Sequence, residues 1–530
     1  MHPPNQQQCK PILALASTLV SMAETCRSMS HLKQIHAHSF LTGLHDNSVI
    51  LAKMLRFAAV SPSGDLAYAH SLFDQLPHPN TFFYNTLIRG YAKSSIPSYS
   101  LHLVSQMRRN GVDPDEFTFN FLIKARSRVR VNKNCNLPLI VECDEIQGAV
   151  LKFGFSSHLF VQNALIHLYA VRGNPVAAWR VFDETVGVDV VSWSGLVLAH
   201  VRAGELDRAR WVFDQMPERD VVSWTSMVSA YSQAKYSGEA LELYRDMVDA
   251  GVRPDEVTLV SVISACTNLG DLQMGFSVHS YIDENGFGWM VSLCNALIDM
   301  YAKCGCMDRV WQVFSKMRKK SLVTWNSMIS ACANNGDPED SFELFNCMMN
   351  SGVAPDGLTF LAILTAYAHM GLVYEGCRLF ESMQRDYGIE ASIEHYGCMI
   401  NMLGQAGWLE QAYELISNMP LPSNDAVWGV LLAACRKYGD TYMGERVVKK
   451  LIELKPDEGW YYTILRDIYV AAALVRQRGA VSRKHHDKVR WLGLGGFYLD
   501  FLKEAKIIEA LAIGEAVMFG AKQSYPNDEL

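Results

Sequence analysis

VVSWTSMVSAYSQAKYSGEALELYRDMVDAGVRPD, residues 221–255, aligns without a gap with LVTWNSMISACANNGDPEDSFELFNCMMNSGVAPD, residues 322–356. A third stretch, TFFYNTLIRGYAKSSIPSYSLHLVSQMRRNGVDPD at 81–115, has the same length, the same aromatic fourth place and the same Gly-Val-x-Pro-Asp ending. Three such copies exclude accident, and a fixed period of this size is the mark of a repeat architecture. Within 221–255, apolar side chains fall at helical spacing twice: Trp224, Met227, Val228 and Tyr231, then Ala240, Leu241, Leu243, Tyr244 and Met247. Each copy therefore reads as two helices. The ending terminates the second one, since glycine suits a left-handed cap and proline cannot continue a helix. A lone hairpin cannot bury its apolar face, so successive units must stack. The expected fold is all-α, a right-handed α-solenoid of helix-turn-helix repeats without β-sheet.

Working outward, units begin at Thr81, Glu116, Leu159, Val190, Val221, Glu256, Val291, Leu322 and Gly357, with lengths of 35, 43, 31, 31, 35, 35, 31, 35 and 36 residues. The 31-residue copies close on runs such as Asp-Gln-Met-Pro-Glu-Arg-Asp at 214–220. The 43-residue unit carries an insertion around Val131 to Asp144, where Asn132, Asn134, Asn136 and Pro138 predict a loop.

Composition narrows the function. The net charge is -7 and the pI about 6.2, so the chain as a whole lacks the basic field that drives sequence-blind binding to phosphate backbones. Any nucleic-acid binding must be local and patterned. Thirteen cysteines show no C-x-x-C, which fits a reducing compartment. No apolar run approaches the roughly 18 residues of a membrane span, so no membrane partner is expected. The apolar stretch Ile12 to Ala23 behind Lys10 and the final Asn-Asp-Glu-Leu could suggest secretion, but unpaired cysteines and the absence of any N-x-[ST] argue against it.

The units resemble the pentatricopeptide repeat family through Y-N-T-L-I-R-G-Y at 84–91, W-N-S-M-I-S-A at 325–331, N-A-L-I-D-M-Y-A-K-C-G at 295–305 and the Pro-Asp endings. The tetratricopeptide pattern, a 34-residue peptide-binding hairpin, fits worse. The alternating lengths look like the plant subfamily built of P, L and S units. DAVWGVLLAACRKYGDTYMGERVVKKLIELKPDE at 425–458, followed by GWYYTILRDIYVAAA, resembles the two E-type motifs of plant organellar RNA-editing factors, the second incomplete. The chain is thus divided into 1–46, a segment with a weak targeting sequence and a degenerate L-like repeat; 47–424, tandem P, L and S repeats; 425–473, E-type motifs; and 474–530, a divergent tail, in which Phe501 to Phe519 could form an amphipathic helix.

What the resemblance implies is one-base-per-repeat reading of single-stranded organellar RNA. The family's two reading positions are the fifth residue of a unit, expected in the first turn of its first helix, and the last. Carried over, these pair Asn85 with Asp115, Asn163 with Asp189, Ser194 with Asp220, Thr225 with Asp255, Asn295 with Ser321 and Asn326 with Asp356. The family's code reads them as U, U, G, G, C and U. Val260 with Met290 and Leu361 with Ser392 are expected to read little. Second positions are expected to sandwich the base: Phe82, Phe117, Phe160, Val191, Val222, Val257, Val323 and Leu358. A plain capping role would also explain Asn, Ser or Thr in a first turn and a terminal Asp; recurrence in six units favours reading for the former and leaves the Asp open. Tyr84, Trp193, Trp224 and Trp325 read as packing residues.

No catalytic centre, metal or cofactor is expected. None of the 16 histidines begins an H-x-E, no cysteine follows Cys435 and no C-x-x-C exists, so a cytidine deaminase's ligand set is missing. The resemblance implies a specificity factor for C-to-U editing that recruits a deaminase in trans through 425–473, in a mitochondrion or chloroplast, the mitochondrion being favoured. The alternative is a non-editing factor for RNA processing, splicing or stability; a peptide-binding scaffold ranks below both.

Overall fold

The computed structural model describes residues 6–128, 139–335, 338–455 and 459–483, and among these every regular element is an α-helix. The helices run as α1 (Gln6–Glu24), α2 (Met29–Leu41), α3 (Ser48–Val60), α4 (Leu66–Asp74), α5 (Thr81–Lys93), α6 (Tyr99–Arg109), α7 (Glu116–Arg128), α8 (Leu139–Lys152) and α9 (Leu159–Val171). Then come α10 (Pro175–Glu184), α11 (Val190–Ala203), α12 (Leu206–Gln215), α13 (Val221–Gln233), α14 (Ser237–Asp249), α15 (Glu256–Leu269), α16 (Leu272–Glu284), α17 (Val291–Lys303) and α18 (Met307–Lys316). The last are α19 (Leu322–Asn335), α20 (Pro338–Asn350), α21 (Gly357–Met370), α22 (Val373–Arg385), α23 (Ile393–Gln405), α24 (Leu409–Asn418), α25 (Asp425–Tyr438), α26 (Thr441–Leu454) and α27 (Trp460–Arg483). Two compact units result, Met1–Ala331 and Cys332–Leu530. Each is a helical repeat solenoid, in which a first helix packs on the next first helix, as α5 on α7 and α23 on α25, while the second helix closes the outer side, as α14 does against α13 and α15.

Every unit start read from the sequence, from Thr81 to Gly357, is the first residue of a first helix. The Gly-Val-x-Pro-Asp ending works as expected. Gly111, Gly251 and Gly352 have φ of 71°, 74° and 79°, and the next residue's N–H reaches back to a methionine carbonyl, Val112 to Met107 at 3.0 Å and Val252 to Met247 at 3.1 Å. This is a left-handed cap closed by a six-to-one bond, which satisfies carbonyls that the helix leaves over. The 31-residue units differ by shortening the second helix: α12 and α18 have 10 residues where α14 and α16 have 13. That difference is close to one turn.

The fourth-place aromatics are packing residues. Tyr84, Trp193, Trp224 and Trp325 each meet a phenylalanine eleven residues earlier edge-to-face, on Phe73, Phe182, Phe213 and Phe314, with centroids 4.7–5.3 Å apart and planes 70–76° apart. Each pair ties a second helix to the following first helix, and such geometry is worth about 0.5–1.5 kcal/mol beyond area burial. Glycines also admit long methionine side chains between neighbouring helices. A Cβ on Gly275 in α16 would lie 2.6 Å from the Met300 sulfur in α17, and one on Gly376 in α22 would lie 2.7 Å from that of Met402 in α23.

One expectation changes. The insertion predicted as a loop over Val131 to Asp144 is helical from Leu139, which opens α8; residues 129–138 lie outside the described residues. Its Leu139, Ile140 and Val141 form an apolar run that suits a helix start better than a loop. The apolar stretch Ile12 to Ala23 belongs to α1, which packs on α3, and Leu19 and Ala23 share a core with Leu32, Ile35, Ile50 and Met54. Each such buried Leu or Ile contributes about 1.5–3 kcal/mol, so hairpin packing begins before Asn47. At the other end α27 runs on to Arg483, past the Leu474 at which the family resemblance stops; Phe501 to Phe519 lies outside the described residues. Among the described residues no helix is long and apolar enough to cross a membrane.

Candidate nucleic-acid interface

Positions two, five and nine of a first helix share one face, because helical neighbours lie three and four residues apart. On α5 that face carries Phe82, Asn85, Thr86 and Arg89, and together with Arg56, Asp115, Phe117 and Phe121 they line an open cleft of about 680 Å³. Phe82 stands on one first helix and Phe117 on the next, with Asn85 and Asp115 lining the cleft they share.

The second-position side chains form an exposed apolar row. Phe82, Phe117 and Phe160 are 51%, 50% and 48% exposed, and Val191, Val222, Val257, Val323 and Leu358 are more open still. Their exposure of 48–64% at one place in eight of the nine units separates them from the core, where fourth-place rings are buried or nearly so.

The fifth and last residues meet as paired. Asn85 donates through Nδ2 to Asp115 Oδ1 at 2.8 Å, and Asn163 donates to both Asp189 oxygens at 3.0 and 3.2 Å. Ser194 donates to Asp220 at 3.0 Å and Thr225 to Asp255 at 3.3 Å. Asn295 and Ser321 do not join. Serine ends one atom past its Cβ and bonds instead with Thr324 at 3.0 Å, while the Asn295 carbonyl oxygen is buried without a partner. Asn326 is buried near the start of α19, and Asp356 caps α21 by accepting the Thr359 N–H at 3.0 Å.

In three of the units a third side chain completes the arrangement, and sequence reading missed it. Thr118 donates to Asn85 Oδ1 at 2.6 Å while its own N–H bonds Asp115 at 2.8 Å. Ser192 stands the same way between Asn163 and Asp189, at 2.6 and 2.9 Å, and Thr258 between Thr225 and Asp255, at 2.6 and 2.8 Å. The signal was legible as a hydroxyl three places after each terminal residue, in Asp-Glu-Phe-Thr at 115–118, Asp-Val-Val-Ser at 189–192 and Asp-Glu-Val-Thr at 255–258. It is the spacing of a capping box.

The capping alternative thereby divides. The terminal Asp does cap the next first helix, and the same carboxylate also accepts from the fifth residue, so the two roles coexist. The fifth residue is not a cap. Since each first helix starts at the unit's first residue, position five opens the second turn, beyond the N–H groups that a cap can reach; the expectation that it lies in the first turn is corrected. The carboxylate is held in its charged form. Burial works to raise the Asp189 pKa, but the bonds from the Ser192 N–H, the Asn163 amide and the Ser192 hydroxyl outweigh it and leave the group below its ordinary value.

Ser192→Ala removes the hydroxyl from this triad and is expected to cost about 1 kcal/mol at neutral pH. A depressed carboxylate contributes stability above its ordinary pKa of about 3.9, and that contribution disappears as pH falls through the folded value. The gap between variant and wild type should therefore narrow in acid. Urea unfolding at pH 7 and pH 3 checks it, and a gap that widens at pH 3 contradicts the triad.

Comparison with known proteins agrees with the geometry. Profiles of the PPR repeat family match residues 79–128, 219–268 and 320–369, and the PPR repeat matches 163–187, 191–221, 292–322, 358–387 and 394–420. A pentatricopeptide repeat-containing protein of Arabidopsis thaliana is 39% identical over 447 residues, covering 83% of this chain and 82% of the relative. The chain belongs to the pentatricopeptide repeat family. A second Arabidopsis thaliana pentatricopeptide repeat protein, described as chloroplastic, is 37% identical over 492 residues, covering 92% of this chain and 86% of its own. Among solved structures, the pentatricopeptide repeat protein PPR10 in complex with an 18-nt psaJ RNA element superposes with a TM-score of 0.51 at 17% identity, over 88% of this chain and 78% of that one. At that identity the likeness concerns the fold. In this pentatricopeptide repeat chain the open face of the first helices is the one carrying the triads.

Proposed function

We propose that this protein binds single-stranded RNA in a plant organelle and reads it about one base per repeat. The observation that carries the reading is the recurrent triad beneath an exposed apolar row: a fifth-position amide or hydroxyl, a carboxylate that orients it, and half-exposed side chains on either side. A base edge offers donors and acceptors to the first, and its faces stack on the last. The PPR10 complex, which holds RNA on the same type of fold, supports this.

The finer reading is a specificity factor for C-to-U editing, with 425–473 recruiting a deaminase supplied by another chain. It rests on the P, L and S length order and on α25, α26 and the start of α27, which continue the helical packing beyond the last repeat. Purified protein is expected to leave cytidine in its RNA unchanged, zinc added or not, and to support conversion once a deaminase-domain protein is present. The direct test compares organellar transcripts with and without this gene. Loss of conversion at one or a few cytidines supports editing; altered splicing or transcript ends with all sites still edited would point to the processing alternative.

A further inference from the structure

Position nine faces the same cleft as positions two and five, and its occupants change along the chain. In α3, α5 and α7 they are Arg56, Arg89 and Lys124; His167 follows in α9, and then Leu198, Ser229 and Ser264 in α11, α13 and α15. The whole first-helix face shifts with them. Helices α3, α5 and α7 carry Lys53, Arg56, Arg89, Lys93, Lys124, Arg126 and Arg128 against the single acid Glu116, whereas α13, α19 and α21 carry no Lys, Arg, Asp or Glu at all. Lys53 is paired with Glu24 at 2.7 Å and Arg128 reaches the Ala92 carbonyl.

The three position-nine cations have no ion pair among the described residues. Two of them rest on rings instead. The Arg89 guanidinium lies 5.7 Å from the Phe121 centroid and the Lys124 ammonium 5.5 Å from that of Phe160. Arg56 and Arg89 both line the cleft that holds Asn85. The second-position row changes one unit farther on, with Phe82, Phe117 and Phe160 giving way to Val191, Val222 and Val257, while α3 carries Val49 there. Unpaired cations beside exposed rings are what a sequence-tolerant grip on single-stranded nucleic acid requires, charge for the phosphates and π faces for any base.

Resting on the RNA-binding reading above, we infer that α3, α5 and α7 form an anchor for the phosphodiester backbone of single-stranded RNA, with Arg56, Arg89 and Lys124 each opposing a phosphate. The uncharged first helices farther along contribute base reading with little electrostatic attraction. The protein with a net charge of -7 thus holds a polyanion by one end of its reading face.

The test uses the full-length chain and an RNA containing U-N-U-G-G-N-C-U, made in both polarities, with affinity measured from 50 to 200 mM salt. For single strands each released counterion adds about 0.7 to the slope of log affinity against log salt. Arg56→Gln/Arg89→Gln/Lys124→Gln should lower the slope by about 2, so the wild type's extra loss of about 20-fold across that range disappears. Arg56→Lys/Arg89→Lys should keep the slope, which separates charge from packing. Methylphosphonates at one end of the RNA should weaken wild-type binding, those at the other end should not, and the triple variant should lose the difference. A triple variant with an unchanged slope overturns the anchor, as does equal sensitivity at both ends. Wild-type protein that binds neither polarity would overturn the RNA-binding reading itself.

Discussion

Phe82→Ala/Phe117→Ala is expected to weaken RNA binding by at least about 30-fold. The two rings stand at the same place on consecutive first helices, half exposed, with the Asn85–Asp115 pair lining the cleft they share. A base directed at Asn85 would be covered on both faces. Alanine substitution at such stacking contacts costs about 1–3 kcal/mol per base, so two rings together account for about 2–6 kcal/mol. The folded protein loses much less, because neither ring belongs to the buried core. Competition binding and a thermal melt on the same samples separate the effects. A double variant that melts like wild type yet binds equally well would show that the row is merely exposed apolar surface. Val222→Ala gives the graded control, since a valine covers less of a base than a ring and should cost less than either phenylalanine.

Thr225→Asn is expected to move the preference at one base from G toward U, with neighbouring bases unaffected. The unit is already furnished for the change. Thr258 stands to Thr225 and Asp255 as Thr118 stands to Asn85 and Asp115, with the backbone N–H of each threonine 2.8 Å from its carboxylate. An amide at 225 can therefore donate to Asp255 and accept from Thr258, offering a donor and an acceptor in place of one hydroxyl. A mismatched base costs about 1–3 kcal/mol, roughly 5- to 150-fold, which binding to paired RNAs differing at one position resolves. The thermal midpoint should stay close to wild type. The reason lies in the triad, whose bonds are replaced in kind, and not in capping, since Thr225 opens the second turn of α13. Equal weakening toward all RNAs would mean that residue 225 only braces the helix pair.

The parts of the molecule differ in how far the sequence discloses them, for physical reasons. Periodicity is local information: Trp224, Met227, Val228 and Tyr231 must share a face in any helix, and a glycine before Val-x-Pro-Asp stops that helix whatever surrounds it. That is why unit boundaries, helix count per unit and the all-α solenoid could be read directly, whereas the pairing of fifth and last residues came from the family resemblance. The asparagines at 132, 134 and 136 favour a loop, but Leu139 to Asp144 brings apolar residues that open a helix. Tertiary structure alone decided what separate units do to one another. It brought Thr118, Ser192 and Thr258 onto the fifth residue of the preceding unit, left the Asn295 carbonyl oxygen without the hydroxyl donor that Asn85 and Asn163 have, and set Phe82 and Phe117 on one cleft. These contacts span about thirty residues of sequence, and whether a side chain that could cap, pack or bind does one or several of these depends on the distance between stacked helices, which packing fixes.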